Sequence, residues 1–141
     1  MGFWDVGPFD NDDAADFAMQ LDQATVKGRI TLVSSELAHV VDTTDPEIWN
    51  APRGIAAAAL VAAQCPGGQP TDPVYGPSEP MPRLPDHLKG LAIEALDRAT
   101  AAPSWLADFW EETSQGAAWR RTITNLRKVL DPPQPETPFD L

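Results

Sequence analysis

The sequence predicts an all-α protein, folded as a compact bundle of about five to six helices. The clearest observation is a stripe of apolar residues from 26 to 40, recurring at spacings of four, three, four and three. This spacing follows the 3.6-residue period of a helix and breaks the alternation expected of a strand. Clusters of Pro, Gly, Asp and Ser also divide the chain into segments of helix length. At 141 residues and 43% hydrophobic content, the chain can form one domain with one core.

The first nine residues are predicted to form an ordered lead-in. Trp4 and Phe9 lie outside any periodic segment, so both are expected to fold back onto the domain, with a turn at Gly7-Pro8 between them. The first helix is expected to begin near Asp10 or Asn11, because either side chain can accept a hydrogen bond from the free N–H groups of the first turn. Its predicted apolar stripe is Ala14, Phe17, Ala18 and Leu21.

The second helix is predicted over about Thr25 to Val41, with Val26, Ile30, Val33, Leu37 and Val40 facing inward. Asp45-Pro46-Glu47 has the features of a helix start, but Pro52 interrupts soon afterwards. The main third helix is therefore placed at about Ala51 to Gln64. Its alanines give it a thin face that allows a neighbouring helix to approach closely.

Residues 66–84 contain six Pro and three Gly with little periodicity, which predicts a linker or a long surface loop. Tyr75 is its expected anchor. Loops of this length are uncommon within compact domains, so the sequence leaves open whether this one is mobile or functional.

Three further helices are predicted after the loop. The fourth opens at Pro85-Asp86, and Glu94 and Arg98 form an i,i+4 pair on its outer side. The fifth starts after an N-cap at Ser104 and ends at a C-cap glycine, Gly116. The inner face of the fourth is predicted to consist of Leu88, Ala92, Ala95, Leu96 and Ala99.

The sixth helix is predicted from about Ala117 to Leu130, with Trp119, Ile123, Leu126 and Leu130 inward. Residues 1–130 then form a single helical domain. The Pro-rich tail, 131–141, is expected to be disordered.

Charge and composition limit the kinds of partner and the cellular location that we expect. The net charge of −11 disfavours nucleic acid and anionic lipid as partners and favours a basic protein, unless the acidity only maintains solubility. The longest apolar run, from Ile55 to Ala63, is far shorter than the roughly 20 residues that span a bilayer. A single cysteine, Cys65, and an acidic amino terminus without signal-peptide layout predict a cytoplasmic protein.

An acidic run occupies the start of the chain, where residues 1–22 hold six carboxylates and no basic side chain. An EF-hand counted from Asp10 fails, because its fifth and twelfth positions are Ala14 and Leu21. A looser divalent-cation site stays open as an alternative. So do helix capping with a solvated acidic face, and an interface with Arg or Lys of a partner.

Other chemistry has little support. Glu36 and His39 have the i,i+3 spacing of di-iron bundles, but no second such pair exists, since residue 84 ahead of His87 is leucine. Cys65 lies at the end of a helix beside Pro66, away from the helix N-terminus at which nucleophilic cysteines are activated. No nucleophile elbow, phosphate-binding loop or zinc-protease motif occurs. No catalytic residue, metal ligand or cofactor is therefore assigned, and binding is favoured over catalysis.

Aromatic and basic residues are concentrated in the last two helices. The set Trp105, Phe109, Trp110 and Trp119 is interpreted as core between these helices; the alternative is that one or two of them remain exposed and anchor a partner. The sixth helix also carries four cations, Arg120, Arg121, Arg127 and Lys128. Two interpretations of these cations remain. They either pair internally with the acidic first helix or bring two copies together head to tail, which would give a homo-oligomer.

The amino terminus resembles the opening of DUF4259, a family of small bacterial proteins of unknown function that start with Gly-x-Trp-Gly-x-Gly-x-Phe-x-Asn-Asp-x-Ala-x-Asp-Trp. The matching residues are Gly2, Trp4, Gly7, Phe9, Asn11, Asp12, Ala14 and Asp16. Asp5 stands where glycine is usual, and Phe17 where tryptophan is common. The resemblance implies a compact helical protein of bacterial origin, and several neighbouring families of similar size have been proposed as immunity proteins.

Together these observations predict a small acidic protein-binding module, of immunity or regulatory type, that engages a basic partner. Its predicted contact residues are Trp4, Asp10, Asp12, Asp13 and Asp16. The alternative is a divalent-cation-binding protein or small hydrolase that uses the same carboxylates, Asp10 to Asp16.

Overall fold

The computed structural model describes residues 3, 5–45, 47–68, 76–101 and 104–132. Over these ranges the chain forms six helices and one isolated antiparallel bridge, between Phe3 and Asn11, which confirms the all-α prediction. The helices are α1 (Asp12–Gln23), α2 (Val26–Asp42), α3 (Ala51–Ala63), α4 (Leu88–Thr100), α5 (Trp105–Glu111) and α6 (Gly116–Leu130). Trp4, Pro46, Tyr75 and the tail from residue 133 lie outside the described residues.

Three of the helices begin at polar side chains that cap them. Asn11, Thr25 and Ser104 each accept a hydrogen bond from the backbone N–H three residues later, at 2.9, 3.0 and 3.1 Å. Each such cap stabilises its helix by about 1 kcal/mol, because the first N–H groups have no partner within the helix. The predicted start of α1 near Asn11 and the Ser104 cap are confirmed.

The centre of the bundle is α3, which packs against α1, α2, α4 and α6. Every residue of α3 except Arg53 and Ala63 is buried. Its small side chains let the neighbouring helices come close, as the sequence indicated. The tightest contact is at Gly54, where an added Cβ would lie 2.5 Å from Cγ2 of Val40 in α2.

The predicted inner stripe of α2 is correct for Val33, Leu37 and Val40, which are fully buried, but wrong for Val26, which is 59% exposed. The contact of Val40 with Gly54 places the end of α2 beside the start of α3.

Two helix boundaries differ from prediction. Helix α4 begins at Leu88, after a turn in which the N–H of Leu88 donates to the carbonyl of Pro85 at 3.1 Å. Gly116 is the first residue of α6 rather than the C-cap of α5. A Cβ at this position would lie 2.9 Å from the carbonyl oxygen of Trp110, so glycine is required by the close approach of the turn.

The predicted outer pair of Glu94 and Arg98 is wrong. Arg98 turns instead to the carboxyl end of α2, where its guanidinium donates to the carbonyl oxygens of Val40 at 3.2 Å and Thr43 at 2.5 Å. These carbonyls have no helical N–H to accept, and a cation beside them also complements the negative end of the helix dipole. Arg98 therefore ties α4 to α2.

The second half of the Pro-rich segment, residues 76–84, is held against the bundle. Both carboxylate oxygens of Asp22 in α1 accept backbone N–H groups, from Ser78 at 3.1 Å and Glu79 at 2.9 Å. The Gln64 amide, just after α3, donates to the carbonyl of Pro82 and accepts the N–H of Leu84, both at 2.8 Å. Leu84 is buried, which anchors the segment to the core.

No helix among the described residues has the length and apolar character needed to cross a membrane.

Candidate protein-binding surfaces

The lead-in and the first turn of α1 form one locked unit. The N–H of Gly7 donates to the Asp10 carboxylate at 3.1 Å, and the N–H of Asp10 donates back to the Gly7 carbonyl at 3.1 Å. Asn11, only 4% exposed, caps the helix and donates from its amide to the carbonyl of Pro8 at 3.4 Å. Phe9 is buried, as predicted, and Asp10 is half-buried in this turn. Asp10 therefore has a structural role whatever else it contacts.

The remaining predicted contact residues lie on the first two turns of α1. Asp12 and Asp16 are exposed and one helical turn apart, whereas Asp13 is half-buried. Among the described residues, no ion pair or side-chain hydrogen bond engages the carboxylates of Asp13 and Asp16. Asp12 and Asp13 also lie in the first turn of α1, at the positive end of the helix dipole.

Arg53 joins α1 to the start of α3. Its guanidinium lies over the ring of Phe17, 5.2 Å from the centroid, and donates to the side-chain oxygen of Gln20 at 2.5 Å. It also forms an ion pair with Glu36 of α2 at 2.9 Å, in a half-buried position. Gln20 lies one turn beyond Asp16 on α1. Because Gln20 contacts Arg53, the face of α1 that carries Asp12 and Asp16 leads towards the amino-terminal end of α3.

Two of the four cations of α6 pair with α4 and α5, and the internal pairing with α1 suggested by the sequence is not found among the described residues. Arg120 forms an ion pair with Glu111, and Arg127 with Asp97 at 2.8 Å and Asp131 at 3.1 Å. The hydrogen bond to Asp97, then that to Asp131, raises the pKa of Arg127 above its ordinary value.

Aromatic residues divide between the core and the surface. Trp110 and Trp119 are buried and stacked, with centroids 6.3 Å apart and planes 13° apart, as the core interpretation predicts. Phe3 meets Trp110 edge-on at 5.4 Å, so the lead-in covers this cluster. Phe109 is 39% exposed. The Trp110 indole N–H is buried without a hydrogen-bond partner among the described residues.

Sequence reasoning missed Trp49, which is 61% exposed and lies in the segment between α2 and α3. Its ring contacts that of Trp105, with centroids 6.0 Å apart. Trp105 is half-buried, and its indole N–H donates to the carbonyl of Ile48 at 2.8 Å. The available signal was a large aromatic residue in a polar, non-periodic stretch beside Glu47 and Asn50.

The residues considered for metal binding are dispersed. Glu36 is engaged by Arg53 and by the Asn50 amide at 3.4 Å, while His39 and His87 are exposed. Nowhere in the described ranges do three His, Cys, Asp or Glu side chains lie close enough to hold a metal ion. Chemistry that depends on converging carboxylates therefore has no geometric support there.

A surface cleft of about 590 Å³ lies between the end of α3 and the start of α4. The half-buried Cys65 lines it, with its sulfur 3.5 Å from the carbonyl oxygen of Val61. Arg83 and Asp86, at its rim, form an exposed ion pair at 4.0 Å. A thiol that donates to a helix carbonyl has no base to activate it as a nucleophile.

The comparison with protein families is decisive for the chain's relationship. The model of a family described as a domain of unknown function, DUF4259, matches residues 2–122. The chain belongs to the DUF4259 family. The match covers α1 to α5 and part of α6, and this DUF4259 chain buries three of the residues that carry the resemblance, Phe9, Asn11 and Ala14. No curated protein and no solved structure matches the chain.

Proposed function

We propose that this DUF4259 protein is a non-catalytic protein-binding module, of the immunity or regulatory type, that engages a basic partner through the carboxylates of Asp10 to Asp16. The observation that carries the proposal is the pair Asp12 and Asp16, exposed on adjacent turns of α1 in a chain of net charge −11. An excess of one sign of charge attracts the opposite sign over about one Debye length, roughly 8 to 10 Å at ordinary salt.

Binding is favoured over catalysis by the dispersion of the reactive groups. Both histidines are exposed, the one cysteine donates to a helix carbonyl, and no metal-binding group of three is found within the described residues. An interface needs exposed charge on a rigid support instead. Helix α1 provides this support, because Asn11 caps it and Phe17 and Leu21 anchor it in the core.

The experiment compares two double variants with the same change in charge. Asp12→Asn with Asp16→Asn removes two carboxylates of the proposed surface, while Glu94→Gln with Glu112→Gln removes two exposed carboxylates elsewhere. The probe is fluorescein-labelled hexalysine, and the readout is fluorescence anisotropy at about 20 and about 300 mM NaCl, since salt screens such contacts.

The α1 variant is expected to bind hexalysine several-fold more weakly than the control variant at low salt, and the difference is expected to vanish at high salt. Equal affinities of the two variants would contradict the proposal, because they would mean that the carboxylates act only through total charge. A basic, toxin-like protein encoded beside this gene is the first natural partner to test in the same assay.

A further inference from the structure

Trp49 is the most exposed large apolar side chain among the described residues, ahead of Val26 at 59% and Met19 at 57%. Unlike these two, it rests on a second aromatic ring, that of Trp105, with the planes inclined by 35°. Tryptophan dominates the energetic centres of protein interfaces, because one side chain buries a large apolar area. Burial of the Trp49–Trp105 pair by a partner would therefore be energetically favourable.

The pair is held in place before any partner arrives. The hydrogen bond from Trp105 to the carbonyl of Ile48 crosses from α5 to the segment that carries Trp49. Ile48 is itself 8% exposed and belongs to the core. An aromatic anchor that is already ordered loses little conformational entropy on binding.

The surroundings of the pair are acidic. Asp45 and Glu47 precede Trp49 in the same segment, and Asp108 follows Trp105 by one turn of α5; all three are exposed. The Asp45 carboxylate accepts the N–H of Glu47 at 3.0 Å. Three exposed carboxylates therefore lie on the two segments that carry the indoles.

The ring geometry selects the type of cation. With centroids 6.0 Å apart the two indoles touch, and a cation held between two rings needs about 3.5 Å on each side. A ligand cation must therefore lie on the outer face of Trp49. A guanidinium suits this position, since it is planar, weakly hydrated and able to stack while its N–H groups reach carboxylates, whereas an ammonium is a strongly hydrated point charge.

We propose that the Trp49–Trp105 pair, with Asp45, Glu47 and Asp108, is the docking site for an arginine-bearing segment of a basic protein partner. This proposal rests on the proposed function in requiring a basic partner, and adds which side chain of the partner is recognised and where. It is separable from the α1 surface, because a preference for arginine that depends on the indole face is lost when Trp49 is replaced, whereas a preference due to carboxylates alone is kept.

The test measures the binding of labelled hexa-arginine and hexalysine by anisotropy at low salt. The wild-type protein is expected to prefer hexa-arginine by about two- to fivefold, the size of an exposed cation–π contact. Trp49→Leu keeps an apolar side chain without the π face and should abolish this preference, whereas Trp49→Phe should retain part of it. Val26→Ala is the matched control, since that residue is equally exposed and lies about 24 Å away along α2 from the end that leads to Trp49.

Equal affinity of the wild-type protein for the two peptides would overturn the docking site, and so would an unchanged preference in Trp49→Leu. Circular dichroism of each variant checks that the helices remain. If the preference is lost in Trp49→Leu while the Asp12 and Asp16 double variant binds as its control does, the docking site stands and the α1 surface fails. The reverse pattern removes the docking site and leaves the α1 surface.

Discussion

Gly54 determines how closely α2 and α3 approach each other. Its missing side chain faces Val40, a β-branched residue that is fully buried and has little freedom to rotate away. The backbone carbonyl of Glu36 is also 3.9 Å from the position that a Cβ would take. Glycine has a poor helix propensity, but at this position it allows α2 and α3 to approach each other closely.

Replacing this glycine should destabilise the protein. Gly54→Ala gains about 1 kcal/mol of helix propensity but overpacks the contact by about 1–3 kcal/mol, so a net loss of about 1 kcal/mol is expected. Gly90→Ala is the control, because a Cβ at that helical position meets nothing within 4 Å and should stabilise by about 0.5–1 kcal/mol. Urea unfolding measures both. Stabilisation of equal size by the two substitutions would refute the close approach.

At the scale of the elements, the segment from 76 to 84 is attached to the helices by hydrogen bonds from a few individual side chains. Gln64 alone satisfies the carbonyl of Pro82 and the N–H of Leu84. Because proline lacks an N–H, a proline-rich segment has few ways to bond to itself, and side chains of the helices must provide its partners. The docking of this segment thus depends on α1 and α3, and also on α2, whose Arg29 donates to the carbonyl of Pro80 at 3.1 Å.

Removing the amide tests this dependence. Gln64→Ala leaves the N–H of Leu84 without its partner in a half-buried place, which should cost about 1–3 kcal/mol. Hydrogen exchange at Leu84 should accelerate by about five- to a hundredfold, since 1.4 kcal/mol corresponds to a factor of ten. Gln115→Ala, at an exposed glutamine between α5 and α6, is the control. Unchanged protection of Leu84 would show that burial of its side chain alone holds the segment.

The helices were predictable because their signals are local. Caps at Asn11 and Ser104 and the period of Val33, Leu37 and Val40 lie within one element each. Gly116 was misassigned because its environment is set by a turn around Trp110, not by a local backbone angle.

Long-range contacts explain what was missed at the candidate sites. Trp49 was missed because its ordered exposure depends on Trp105, 56 positions later. The acidic run was visible in the sequence, but the division into a structural Asp10 and an exposed Asp16 depends on how the lead-in folds. Local patterns identify the elements, whereas partners distant in the chain determine which side chains remain at the surface.

At the scale of the whole molecule, 21 acidic and 10 basic residues make self-repulsion the dominant electrostatic effect. The exposed ion pairs of Arg120 and Arg127 offset little of it, since such pairs contribute at most about 1 kcal/mol each. Added salt should therefore raise the melting temperature by screening the excess negative charge.

The same melt separates general screening from a specific cation site. At matched ionic strength, Ca²⁺, Mg²⁺, Mn²⁺ and Zn²⁺ are expected to shift the melting temperature no more than NaCl does, because the described residues offer no group of three converging ligands. The measurement is differential scanning fluorimetry of the wild type and the Asp12→Asn, Asp16→Asn variant. An extra rise of several degrees with one cation, absent from that variant, would instead support the cation-binding alternative.

The central position of α3 has a consequence during synthesis on the ribosome. This alanine-rich helix is covered by α4 and α6, which emerge later, and α6 is complete only at Leu130. At a synthesis rate of roughly 5–20 residues per second, the apolar surface of α3 stays exposed for several seconds before α6 is complete. The acidic amino-terminal segment is synthesised before α3, and repulsion between such segments is expected to oppose association of neighbouring nascent chains during this time.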